Sequence, residues 1–401
     1  MRGQNRMTFL KGLLTGTLMV LILLTILRFL GVYHWIDGSL ADQVWNKASV
    51  IESYIDRYYW KDDVPDQTIS ECAAKGMVAA LGDPYSSYFT SQELKESFDS
   101  INGDYQGIGA TVAVDQKTGQ KVIKNVQKGT PAERAGLKIG DCIIKVDDKN
   151  VEKMGLSETV SLIKGEKGKK SVLTIKRKQS GKTVEKQLTV VTEKIVSQSV
   201  TRKMLESEIG YIGISQFDKE TVSQFRKAIA DLEKKDEKGL IIDLRNNGGG
   251  SLTAVISMLD RMLPEGNLIT EKNKVKGDKL YTSSDKEHFD KPVIILINGQ
   301  SASASEVFAG CMQERKAATL IGTKSFGKGI VQTVFSLEQS CGGGIKLTTG
   351  EYLLPSKRCI HGKGLTPDVE VEYSGHSKVL GNDDDNQLNK AEEVMKIKLA
   401  G

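Results

Sequence analysis

The sequence predicts a multidomain α+β protein, and three observations carry that expectation. An uncharged apolar run, residues 12–27, stands apart from everything that follows it. Residues 103–178 are short β-branched runs separated by Gly-rich turns, the texture of a small β-rich domain. Further on, a strand, a Gly-rich turn and a helix follow one another twice, which marks an α/β layer with ligand groups collected at strand carboxyl ends. The expected boundaries are a cytoplasmic N-terminus at 1–11, a transmembrane anchor at 12–32 and a helical segment at 33–100. The β-rich domain then spans 101–180, the α/β core 181–373 and a polar tail 374–401.

The anchor comes first in the chain. Residues 12–27 give only about 24 Å of helix at 1.5 Å per residue. With Arg28 snorkelling to the headgroups, residues 12–32 reach roughly 30 Å, enough for one crossing. Arg2, Arg6 and Lys11 precede the run and keep the N-terminus inside, so that everything after Trp35 is expected outside the cytoplasm. A cleaved signal peptide is the competing reading, but no Ala-x-Ala-like site follows the run.

Helical spacing of Val44, Val50, Ile51, Tyr54, Ile55 and Tyr58 predicts the next element, and Leu81-Gly82-Asp83-Pro84 closes a second helix. In the β-rich domain, strands are expected at 108–114, 121–126, 142–146 and 171–176, with a helix at 156–164. In the core, the apolar run 239–244 leads into Arg245-Asn246-Asn247-Gly248-Gly249-Gly250 and a helix at 252–262; residues 293–297 lead into Asn298-Gly299 and a helix at 304–315. Strands at 333–337, 345–349 and 352–354 form an expected meander, and residues 387–399 an amphipathic helix.

Composition narrows the function. The chain of 401 residues is 39% hydrophobic and 27% charged, which excludes wholesale disorder. A surplus of five positive charges, 56 Lys and Arg against 51 acidic residues, is too dilute for a nucleic-acid binder. Four histidines, with no Cys-x-x-Cys and no His-Glu-x-x-His, leave no metal site to propose, and no cofactor is expected. The five cysteines are too few for a disulfide framework, although the meander would bring Cys341 and Cys359 to one end, paired or as two thiols.

Four motifs carry chemistry. Gly322-x-x-x-x-Gly327-Lys328 nearly spells a phosphate loop, but Gly329 replaces the Ser or Thr that would hold magnesium, and a strand-like run follows in place of a helix. A lysine between two glycines can instead be drawn into a dry pocket, where lost hydration makes it a usable base. Bringing it from about 10.4 to near 7 asks for roughly 4 to 5 kcal/mol of differential interaction. The alternative is a surface lysine in a turn. Ser301-Ala302-Ser303-Ala304-Ser305-Glu306 reads equally as a capping box, Ser303 to Glu306, or as a nucleophile at a helix start. A nucleophilic serine needs a base in reach; Lys328 is one candidate, and His288 or His361 would serve a Ser-His hydrolase. The Asp243–Gly250 segment is either a sharp strand-to-helix turn or a nest of amides for negative charge. Gly107-Ile108-Gly109, with the 129–141 segment downstream, is an ordinary turn or a loop that aims amides at a peptide carboxylate while the next strand pairs with the peptide.

With these residues in view, the chain resembles the carboxy-terminal processing peptidases, serine proteases that carry a PDZ domain. The likeness runs from about residue 51 to 371 and includes Gly82-Asp83-Pro84-Tyr85-Ser86, the Asp-Leu-Arg-Asn-Asn turn, Ser-Ala-Ser-Ala-Ser-Glu and Ser325-Phe326-Gly327-Lys328-Gly329-x-Val331-Gln332. The resemblance implies a crotonase-like α/β protease core, a PDZ β-rich domain, a helical N-terminal segment and one transmembrane helix. It makes Ser303 the nucleophile, Lys328 its base and Gln332 the group that orients the lysine. It makes the amides of Gly249 and Ala304 the oxyanion hole. Three features depart from the family pattern: Gly248 stands where proline is frequent, Lys164 where many relatives carry an arginine linking PDZ and protease, and Cys341 and Cys359 have no counterpart.

The expected function is therefore a membrane-anchored, extracytoplasmic endopeptidase that recognises protein C-termini and cleaves through a Ser-Lys dyad. Its partners are protein or peptide substrates with accessible C-termini and the membrane, with no nucleic acid; the oligomeric state is left open, a homo-oligomer included. The rival class is an anchored PDZ scaffold that binds C-termini without cleaving them. A scaffold would keep peptide binding and show no Lys328-dependent proteolysis at any pH.

Overall fold

The computed structural model describes residues 15–20, 22, 39–61, 66–102, 104–115, 118–179, 181–284, 288–375, 380–381 and 384–400. Residues 15–20 and 22 are helical, while the rest of the expected anchor, 12–14, 21 and 23–32, lies outside the described residues. Among the described residues no helix is long and apolar enough to cross a membrane. The chain divides into two compact units, Met1–Ala73 and Ala74–Gly401.

The first unit holds the helix Leu40–Tyr58, begun by a capping box in which the Ser39 hydroxyl accepts from the Asp42 N–H and the Asp42 carboxylate accepts from the Ser39 N–H. No residue of this helix is buried, so the apolar spacing that predicted it does not mark a core. The helix Asp66–Ala79 crosses from this unit into the second.

In the second unit the α/β core is a six-stranded sheet. Strand β1 (Val200–Met204) is antiparallel to β2 (Ile209–Ile214), and β2, β3 (Gly239–Asp243), β4 (Val293–Ile297), β5 (Thr319–Gly322) and β6 (Val369–Glu370) then run parallel in that order. Every residue of β3 and β4 is buried, as expected of parallel strands covered on both faces. Ile242 and Ile295 point to one face, toward helices α1 (Lys219–Glu233), α2 (Leu252–Met262) and α3 (Ala304–Glu314). Ile241, Ile294 and Leu296 point to the other, where Leu388, Ala391 and Met395 of α4 (Asn386–Ala400) cover them.

That last contact gives the expected amphipathic helix, 387–399, its place: it is observed as Asn386–Ala400, packed on the sheet and not part of a free tail. Residues 374–401 read as polar because α4 contributes only a narrow apolar stripe, yet the stripe closes the second face of the sheet. A buried ion network accompanies it. Arg245, just past β3, pairs through Nη2 with Asp243 and with Asp385, each at 2.6 Å, and through Nη1 with the Gln387 amide oxygen at 2.8 Å. Burial works against the guanidinium charge, but the hydrogen bonds and charges of Asp243 and Asp385 outweigh it and raise its pKa.

The β-rich domain has the strand order Ala110–Val114, Lys121–Val126, Cys142–Val146, Lys170–Gln179 and Lys182–Val191. The sheet thus passes the expected end at residue 180: Lys182–Val191 is an edge strand studded with charge, and its one-sided burial hid it from an apolar-run reading. Asp104–Gly107 pairs separately with Glu193–Val196.

The expected three-strand meander is a two-strand hairpin. Ile330–Ser336 pairs with one continuous strand, Gly344–Leu353. Ten extended residues separate Cys341 at the turn from Cys359, which bridges to Leu353, by about 30 Å. All five cysteines are free, and this pair cannot meet.

Replacing Asp385 with alanine leaves the buried Arg245 charge without half of its carboxylate partners. The expected loss is about 3 kcal/mol of stability or more, read as a lowered urea midpoint of the full chain. An unchanged midpoint would show that α4 is held by its apolar stripe alone.

Candidate active site

Three adjacent parallel strands deliver three loops to one end of the sheet. β3 leads into 245–250, β4 into 298–303 and β5 into 323–329. Reciprocal amides tie the first two loops: Asn246 N–H donates to Asn298 Oδ1 at 3.0 Å, and Asn298 Nδ2 to Asn246 Oδ1 at 2.8 Å.

The three serines of the Ser-Ala-Ser-Ala-Ser run separate by burial and partners. Ser301 and Ser305 are fully buried, and their hydroxyls donate to Leu244 O and Asn247 O, each at 2.8 Å. They fasten the helix start to the β3 loop. Ser303 is half-buried and sits at φ 57°, ψ −116°, a conformation that costs about 1 to 3 kcal/mol for a non-glycine residue. Its side chain meets the Tyr352 hydroxyl, which in turn donates to Lys328 O. Burial pushes the Tyr352 hydroxyl up, against the lowering effect of the Ser303 hydrogen bond.

Gly249 lies against the serine turn. A Cβ at this residue would stand 2.9 Å from Ser303 Cβ and 3.0 Å from Ala304 N, so only glycine lets the backbone come this near. Its N–H donates to Asn247 Oδ1 at 2.9 Å, while Asn247 Nδ2 reaches back to Ile214 O at 2.9 Å. Of the two expected oxyanion amides, that of Gly249 is therefore engaged within its own loop. Ala304 is buried at the first turn of α3.

Lys328 is half-buried, with Nζ 4.9 Å from the centre of the Tyr85 ring. Burial pushes its pKa below the ordinary lysine value, the Lys346 charge adds to that, and Asp83 works against it. Tyr85 belongs to a turn held by Asp83, whose carboxylate accepts from Ser86 Oγ at 2.6 Å, Thr348 Oγ1 at 2.6 Å and Tyr85 N–H at 3.0 Å. Those bonds, led by Ser86, hold the Asp83 carboxyl below the usual range.

No hydrogen bond joins Ser303 to Lys328 among the described residues; the serine faces Tyr352 and the lysine faces Tyr85. Gln332 sits opposite Thr348 on the hairpin, and its Nε2 is buried with no partner among the described residues. The expected bond from Gln332 to the lysine is thus not formed. His361 packs edge-on against Tyr85, with ring centroids 6.2 Å apart, and does not hydrogen bond to Ser303.

The strongest tie between the serine and lysine loops is Glu306, at the third position of α3. It is fully buried and accepts from Ser303 N–H, Gly327 N–H and Lys328 N–H at 2.7 to 2.8 Å and from Ser325 Oγ at 2.5 Å. Its capping pattern was legible in the sequence; its reach to residues 325–328, and the presence of Tyr352, were not, because no local spacing encodes them.

In the β-rich domain, Gly107 ends the strand paired with Glu193–Val196, and the Ile108 side chain is buried in the domain core. Gly109, at φ +77°, passes so close to Thr130 that a Cβ would sit 2.3 Å from it. The three residues lead into Ala110–Val114, the end strand of the sheet, which lies beside the helix Leu156–Ile163. Lys164, just after that helix, pairs with Glu96 at 3.2 Å in an exposed contact of little energetic weight.

Comparison with known proteins accords with this arrangement. Residues 208–371 match the model for Peptidase family S41 and residues 122–177 the model for the PDZ domain. The chain is 35% identical over 366 residues to the carboxy-terminal processing protease CtpA of Bacillus subtilis, covering 91% of this chain and 77% of that protein. It is 33% identical over 390 residues to a CtpA-like serine protease of Staphylococcus aureus, named there as probable, covering 94% of this chain and 77% of that one. A Bacteroides fragilis crystal structure ascribed to the S41 proteases superposes with TM-score 0.56 at 19% identity, over 87% of this chain and 97% of the other, a likeness of fold alone.

Lys346 lowers the Lys328 pKa as a like charge, so its removal favours the protonated form. The Lys346→Gln variant is expected to titrate Lys328 at higher pH than the parent, as followed by NMR of 13Cε-labelled lysine; a shift to lower pH would refute that electrostatic account.

Proposed function

The chain belongs to peptidase family S41 as a carboxy-terminal processing serine protease with a PDZ domain, and on that premise we propose a membrane-anchored enzyme that works outside the cytoplasm through Ser303 and Lys328. The observation that carries the assignment of the nucleophile is the division of labour among the three serines: two are buried and committed to the β3 loop, and the third stands half-open on a strained turn.

Protein substrates with free C-termini are bound through the PDZ domain. The edge strand Ala110–Val114 extends by pairing with the peptide, and the Gly107-Ile108-Gly109 loop receives the terminal carboxylate. At the core, Ser303 Oγ attacks the scissile carbonyl while neutral Lys328 takes its proton, then returns it to the leaving amine. The acyl-enzyme is released by water. Ala304 N–H and Gly249 N–H stabilise the oxyanion, the latter after its bond to Asn247 is given up.

Catalysis in this reading requires Lys328 to leave the Tyr85 ring and Ser303 to leave Tyr352. Tyr352, which touches the serine side chain and the Lys328 backbone, already brings the two loops to one place. Desolvation of Lys328 supports its role as base, because burial is what makes an amine neutral at a usable pH. Gln332 is the group that orients the amine once the site is assembled, its amide oxygen accepting a Lys328 N–H so that the amine lone pair stays open to the serine proton.

Hydrolysis of an unstructured protein by the purified full chain in detergent, with chelator present, tests the chemistry. Ser303→Ala and Lys328→Ala are each expected to lower kcat by about 1,000-fold or more while the far-ultraviolet circular dichroism stays that of the parent. Equal cleavage by Ser303→Ala and parent rejects the nucleophile. For the location, a protease added to intact cells is expected to digest the catalytic part; protection until the membrane is broken would place it inside.

A further inference from the structure

We propose that Glu306 is a positioning residue that sets the separation of nucleophile and base through their backbones; the inference rests on the reading of Ser303 and Lys328 given above. Its two carboxylate oxygens divide four donors between them. Oε2 accepts Ser303 N–H and Lys328 N–H, each at 2.8 Å, so one oxygen atom bridges the main chains of the two residues. Oε1 accepts Gly327 N–H at 2.7 Å and Ser325 Oγ at 2.5 Å. Ser325 Oγ in turn accepts Leu365 N–H at 2.6 Å, so its own proton is committed to the carboxylate.

The chemistry of the group fits this duty and little else. An ionised carboxylate is acceptor-only, with room for four hydrogen bonds, and four donors surround this one. Hydrogen bonds to a charged acceptor are shorter and about twice as strong as neutral ones, so the bridge is stiff. A glutamine cannot replace it. Whichever way the amide is turned, its NH2 faces either the two amides of Ser303 and Lys328 or the pair from Gly327 and Ser325. A donor then meets donors, and buried N–H groups are left unpaired.

Glu306 approaches the two reacting side chains only through their backbones, and its carboxylate is spent on these bonds. Its role is therefore geometric. It holds the strained Ser303 turn from the amide side and fixes where the Lys328 side chain begins. A displacement of either backbone by about 1 Å costs on the order of 100-fold in rate, because attack depends on aligned contact distance.

The test uses the full chain in detergent and a fluorogenic peptide with a free C-terminus, comparing parent, Ser303→Ala, Glu306→Gln and Glu306→Asp. The expected result is a kcat for Glu306→Gln lower by about 100-fold, with KM within about threefold because the binding surface is not altered. The rising limb of kcat/KM against pH is expected to move to higher pH, as a loosened Lys328 is better hydrated. Glu306→Asp keeps the charge that the four donors require but is one methylene short of bridging both loops. It is read wherever the glutamine variant does not fold, and a kcat loss of about tenfold or more is expected. A kcat within threefold of parent and an unmoved pH limb, in whichever variant folds, overturns the proposal, as does a lowered melting temperature with kcat intact. The two readings fail separately. Ser303-independent hydrolysis in the parent removes the dyad and Glu306 with it, whereas a dead Ser303→Ala beside a fully active Glu306 variant removes Glu306 alone.

Discussion

Everything at the site depends on the parallel pairing of β3, β4 and β5. Asp243 stands opposite Leu296, and Ile297 opposite Gly322, so the three strands end level and release their loops at one edge. Parallel strands need crossover helices, and the turn between each strand and its helix must reverse the chain within a few residues. Gly249 supplies a positive φ in the turn from β3 to α2, and Gly322 and Gly327 supply theirs where β5 leads into the strand Ile330–Ser336. Residues far apart in the chain are brought together by sheet register before any side chain is considered.

Two buried charges then stabilise the loops from opposite sides. Arg245 braces the β3 loop against α4 through Asp243, Asp385 and Gln387, and Glu306 braces the β4 and β5 loops against each other. Each is satisfied in full, which is the condition under which a buried charge specifies one arrangement in place of several. The difference between them is informative. Arg245 meets carboxylates, so its network resists disruption as ion pairs do; Glu306 meets only neutral donors, so its hold is directional.

The groups proposed to react are less committed than their supports. Ser303 leans on Tyr352, Lys328 lies over Tyr85, the Gly249 amide serves Asn247, and Gln332 has an unused donor. A rigid frame carrying loosely engaged side chains leaves those side chains free to rearrange in the proposed reaction. The Tyr85 ring favours the charged ammonium, so departure from it and loss of the proton go together.

The sequence by itself determined the elements with strong local signals. β3, β4 and α2, the strands Lys121–Val126 and Cys142–Val146, and the Ser and Lys motifs were legible because apolar runs, glycine turns and capping residues act over a few positions. Resemblance of motifs, in their order, supplied the family. What tertiary structure alone decided is of another kind. Lys182–Val191 became a strand although its exposed residues mask the alternation, the hairpin ran straight through residues 350–351 and parted Cys341 from Cys359, and α4 turned from tail into the second cover of the sheet. The commitment of Ser301 and Ser305 to the β3 loop, the reach of Glu306 to a loop some twenty residues away and the approach of Tyr352 were decided there too. Propensity and periodicity report on neighbours along the chain, whereas these contacts arise from which strands lie side by side, and that is settled only when the whole core packs.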